Sequence, residues 1–108
     1  MIVYWPKSTV CSMPKNTDQQ FYERADAVIT LANEQMTTTD RGKVSASLMF
    51  ATARFNSFVS ACQASSSEDL AAGREEIIRY FVEQYQTMLT ENLDDYIANF
   101  EEYTSPRD

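Results

Sequence analysis

IIRYFVEQYQTMLTENLDDYIANF, residues 77–100, carries apolar side chains every third or fourth position: Ile77, Ile78, Phe81, Val82, Tyr85, Met88, Leu89, Leu93, Tyr96, Ile97 and Phe100. That period is the signature of an α-helix with one apolar stripe. Extended toward the N-terminus, the pattern takes in Leu70 and reaches Ser65-Ser66-Ser67-Glu68-Asp69. A serine cap followed by first-turn carboxylates is a helix start, because the hydroxyl and the acids both satisfy the positive end of the helix. Taken as one helix, residues 68–102 would run about 52 Å, against about 30 Å for a helix of ordinary length. A lone small core cannot cover such a length. Either the chain breaks and folds back, or a second copy buries the excess. Asp94 and Asp95 favour a break, since mid-helix acids gain nothing from the dipole, whereas first-turn acids after an Asn92 cap would. The expectation is a bend near Thr90 to Asn92, with the third helix broken near residue 91, or else extended.

Two helices are expected upstream. Thr17-Asp18-Gln19-Gln20 fits a capping box, with Gln20 reaching back to the Thr17 amide. Phe21, Ala25, Val28, Ile29, Ala32 and Met36 then trace one stripe over roughly residues 18–36. The polar run Thr37-Thr38-Thr39-Asp40-Arg41-Gly42 reads as a connector. Val44, Leu48, Ala51, Phe55, Phe58, Val59 and Cys62 fall on a narrow arc of a second helix over about 43–63. The fold class is therefore all-α, a small bundle of three long helices. Residues 17–103 form a single helical domain, 1–16 a loosely held extension and 104–108 a tail. Within the extension, Met13-Pro14-Lys15-Asn16 resembles a second natural start; the alternative is that Trp5 docks as an anchor.

The composition narrows the chemistry. The chain has 108 residues, 16 acidic and 9 basic side chains and no histidine, for a net charge of −7. Residues 1–67 sum to +1 and residues 68–108 to −8. The negative half repels phosphate, so neither nucleic acid nor an anionic membrane is an expected partner. No stretch approaches a membrane span in length, and no apolar signal segment opens the chain. Cys11 and Cys62 form no zinc spacing. Cys62 is expected to be buried on the stripe of helix two, and a reducing cytoplasmic location follows by default.

Without histidine, the commonest general base and a common metal ligand are gone. Glu23 with Asp26, and Glu91 with Asp94, sit one helical turn apart and could share a face toward a hard cation. Such spacing is ordinary on acidic helices, so no metal or other cofactor is assigned. Lys43 and Ser47 stand at i, i+4 but lack an oxyanion-hole loop, and Cys62 lacks a partner to activate it. No catalytic residue is expected. Arg54 could receive an anion, but more simply pairs with Glu75 or Asp26 while its stem covers apolar surface.

Surplus apolar positions point elsewhere. Met49 and Phe50 lie off the main stripe of helix two, and Tyr80 off that of helix three. With Glu91, Asp94 and Asp95 they make a candidate interaction surface for a basic protein partner or a second copy. The expected function is that of a non-enzymatic, acidic cytoplasmic protein acting through protein contacts. The alternatives are a small-ligand or metal-binding domain using Arg54 or clustered carboxylates, and an acidic mimic of nucleic acid.

The segments FYERADAVITLANEQ (21–35), RGKVSASLMFATARFNSFV (41–59) and IIRYFVEQYQTMLTENLDDYIANF (77–100) resemble an uncharacterised bacterial family, domain of unknown function 3144. The resemblance implies a small, acidic, intracellular, all-helical protein. It carries no established activity, so no catalytic residue is transferred. Residues 1–12 fall outside it, in keeping with a start at Met13.

Overall fold

A computed structural model describes Asp18 and residues 20–105. The Thr17 cap, the two N-terminal alternatives, Cys11 and residues 106–108 lie outside that range. The described chain is all helical: α1 Phe21–Gln35, α2 Arg41–Gln63, α3 Ser67–Ala72, α4 Arg74–Ala98 and α5 Phe100–Thr104. The described residues group into two compact units. One holds residues up to Asn33 and from Gln84 onward, and the other holds Glu34–Glu83.

Local chemistry sets each helix end. Ahead of α1 the Asp18 carboxylate accepts from the Gln20 amide at 3.1 Å and pairs with Arg24 at 3.2 Å. Thr37 closes α1 by donating its hydroxyl and amide to the Glu34 carbonyl, at 2.7 and 3.1 Å. Asp40, in extended backbone, accepts from the Lys43 amide at 3.0 Å and so caps α2. That cap starts α2 two residues before the expected position, with Gly42 inside the first turn rather than closing the connector. Ser66 caps α3 as expected, its hydroxyl accepting from the Asp69 amide at 3.1 Å.

The break expected near residue 91 is not there: α4 passes through Thr90, Glu91 and Asn92 without interruption. Asn92 spends its side-chain amide on the Met88 carbonyl, 2.7 Å away in the preceding turn, so it supports the helix interior and caps nothing. The interruptions fall at Gly73 and Asn99. The Gly73 amide bonds the Asp69 and Leu70 carbonyls, both at 3.2 Å, which ends α3. Its own carbonyl receives the Ile77 amide at 2.9 Å, which begins α4. Glu75 and Glu76 then occupy the favourable first turn. Asn99 leaves helical geometry (φ −123°, ψ 31°) and bonds back to the Asp95 carbonyl and carboxylate at 3.0 and 3.1 Å. The long third helix is thus three helices, α3, α4 and α5.

Burial is sparse. Among the described residues the buried hydrophobic side chains are Val44 and Tyr103, and Asp95 is the buried charged group. Phe21, Ala25, Ile29 and Ala32 on α1, Met36 just after it, and Ile77, Phe81 and Met88 on α4, are half-buried. No large side chain of the described residues is fully enclosed.

Candidate interaction surface

Helix α2 turns most of its expected core stripe outward. Val44 is buried and Leu48 and Val59 are half-buried, but Phe55 and Phe58 are 64% and 60% exposed. Their rings lie 6.0 Å apart at a tilt, forming an aromatic step on the helix. Phe50 is 72% exposed, and Met49 is exposed as expected. Cys62 was expected inside and is a free, exposed thiol, because the side of α2 that carries it is left uncovered. The hydroxyls of Thr52, Ser57 and Ser60 donate to the carbonyls four residues before them at 2.9, 2.8 and 3.0 Å. They are spent within the helix, not poised for nucleophilic work.

Helix α4 presents three faces. Ile77, Phe81, Met88 and Asp95 turn inward. Glu76, Tyr80, Glu83 and Asp94 share a second, acidic face, where Tyr80 stands edge-on to Phe81 with centroids 5.1 Å apart. Val82, Tyr85, Leu89 and Leu93 form a third face, and all four are exposed. Of the expected surface residues, Met49, Phe50, Tyr80 and Asp94 are exposed, while Glu91 is half-buried. Asp95 is corrected: it is buried beside Asn99, whose side chain supplies a donor to its carboxylate. Arg54 is exposed and makes no ion pair among the described residues, and Glu75 pairs with Arg74 at 2.6 Å instead.

The row on α4 and the step on α2 have the spacing of a core stripe. Spacing reports that a face is apolar and leaves open what covers it. The available hint was the apolar length, greater than one small domain can bury.

An open groove of about 430 Å³ lies within the Glu34–Glu83 unit, lined by Ser57, Ser60, Ser67, Leu70, Ala71, Arg74, Ile77 and Ile78. Its hydroxyls at Ser57 and Ser60 are already bonded to carbonyls, and its one cation is paired with Glu75 at the surface. Among the described residues, no group of three or more Cys, Asp or Glu is placed to hold a metal ion. No helix among them is long and apolar enough to cross a membrane. The surface that stands out among the described residues is apolar and spread along helices.

The comparisons with known proteins agree with the helical fold. A protein from Shewanella sp., NB7890A, solved by NMR, is 37% identical; the match has a TM-score of 0.68 and covers 86% of this chain and 99% of that one. No curated protein matches. The family model described as "Protein of unknown function (DUF3144)" matches residues 21–97, the span of α1 to α4. The chain belongs to the DUF3144 family.

Proposed function

We propose that this chain is a non-enzymatic protein of the cytoplasm that works by contact with other proteins, through apolar helix faces that its own fold leaves open. The observation that carries this reading is the ratio of exposed to buried apolar side chains. Fourteen large hydrophobic residues are exposed among those described, against two that are buried. An exposed side chain here and there is normal for any protein. Contiguous aromatic and aliphatic faces are not, because each leaves water ordered over a surface that another protein would cover. The aromatic step of α2 has the composition of an interface centre, where Phe, Tyr and Met are enriched and Lys and Glu depleted. The acidic face of α4 with Tyr80 adds attraction for a basic partner. The absence of histidine, and serines whose hydroxyls are bonded within α2, support a role outside catalysis.

A photo-crosslinking phenylalanine analogue placed at Phe50 tests this in the native cell. The expected result is a covalent product with a second polypeptide, lost when Phe55→Ser is added. A chain that remains uncrosslinked, with and without Phe55→Ser, would overturn the reading.

A further inference from the structure

We infer that the apolar row of α4 is covered by a second copy of this chain, paired antiparallel about a two-fold axis at Leu89. The inference rests on the protein-contact reading above and names the partner for one face. Val82, Tyr85, Leu89, Leu93 and Tyr96 lie within about 80° of the circumference of one continuous helix. Their spacings are three, four, four and three residues, the same read in either direction from Leu89. Ile78 and Phe100 each lie eleven residues from Leu89, so the sequence symmetry continues at both ends. A two-fold contact demands such self-complementarity, because each residue at one distance before the axis meets the residue at the same distance after it. Here Leu89 meets Leu89, Tyr85 meets Leu93, and Val82 meets the outer side of Tyr96, whose ring packs on Tyr103 of its own chain with centroids 4.7 Å apart. Every level sets one apolar side chain on another, and two of the three levels pair an aromatic with an aliphatic group.

Charge selects the antiparallel direction. Arg74 and Arg79 are the only basic residues of α4, both near its start, while Glu101 and Glu102 follow its end. Antiparallel pairing sets this end, where Arg74 and Arg79 offset Glu75 and Glu76, against the acidic end of the other copy, whereas a parallel pair would set acid on acid. It also opposes the two helix macrodipoles, which a parallel pair would align. The acids Glu76, Glu83 and Asp94 sit on a different face of the helix and stay in water.

The area is sufficient. Ile78, Val82, Tyr85, Leu89, Leu93 and Phe100 are between 43% and 60% exposed. At about 100 Å² of free surface each, they would bury roughly 600 Å² per copy, or about 1,200 Å² in all, before any flanking contact. That reaches the lower bound of standard stable interfaces once Phe100 of α5, beyond the Asn99 break, is counted with the row.

Cysteines read the register. In a Cys11→Ser, Cys62→Ser background, a short bis-maleimide linker is applied to Val82→Cys chains, to Tyr96→Cys chains, and to their mixture. The proposal expects dimers crosslinked at least tenfold more in the mixture than in either chain alone, and Leu89→Cys crosslinked to itself. Self-crosslinking of Val82→Cys above the mixture would mean a parallel pair and overturn the arrangement. No crosslinking at any position would overturn self-pairing. Crosslinking at Phe50 in the cell would then still decide the protein-contact reading separately. Because Leu89→Asp could act by unfolding the helix, it is paired with circular dichroism. The proposal expects unchanged helicity at high dilution and dimer affinity lowered by at least a hundredfold.

Discussion

Val44 and Phe50 sit on one helix, six residues apart, and have opposite roles. Val44 is 5% exposed, so truncating it removes packed methyl groups and leaves a cavity. Val44→Ala is expected to cost about 2 kcal/mol in urea denaturation. Phe50→Ser removes a larger side chain, yet that side chain is mostly in water already. It should change stability by less than about 0.5 kcal/mol while lowering binding of a dye that reports exposed apolar surface. Equal losses from the two substitutions would mean that Phe50 is packed. Asp95 shows the same lesson for polar groups. Its charge placed it in the sequence among the acids of an outer surface, whereas its burial depends on Asn99 folding back to supply a donor.

At the level of the helix, caps were partly legible. Ser66 was, because a serine followed by Glu68 and Asp69 has one natural use. Asn92 was misread because asparagine has two: it caps through its carbonyl oxygen, or it donates its amide to the preceding turn, and sequence does not say which. With Leu89 and Leu93 continuing the apolar row on either side, the donating role lets α4 run on to Ala98. Asn99 then carries the interruption, with three hydrogen bonds to Asp95 from its amide and side chain. Asn99→Ala removes the two side-chain bonds and favours helical geometry. The expected outcome is a continuous helix from α4 into α5, seen as helical carbon chemical shifts at residues 98–101, with a net loss of about 1 kcal/mol. Unaltered shifts there would show that the break does not depend on this side chain.

For the whole molecule, helix content and the order of the long helices were readable from periodicity, as was the surplus of apolar surface. The location of that surplus was not, because a stripe that faces a neighbouring copy has the same spacing as one that faces the interior. The expected core stripe of α2 therefore contained residues that are in fact exposed, Phe55 and Phe58 foremost. The acidity has a similar reading. Of the acids in residues 68–108, Glu76, Glu83 and Asp94 lie on a face of α4 apart from the Leu89 row, and Glu75, in line with Leu93, lies beyond the row's N-terminal end beside Arg74. A single chain with Val44 and Tyr103 as its buried hydrophobics among the described residues gains little from folding alone. Stability should then rise with protein concentration, as it does when folding and association are one equilibrium. Sedimentation equilibrium on the full chain, from low micromolar to a few hundred micromolar, tests this most directly. A mass of about 25 kDa, twice the 12.4 kDa of one chain, is the predicted result. A single species of 12.4 kDa across the whole range would contradict it.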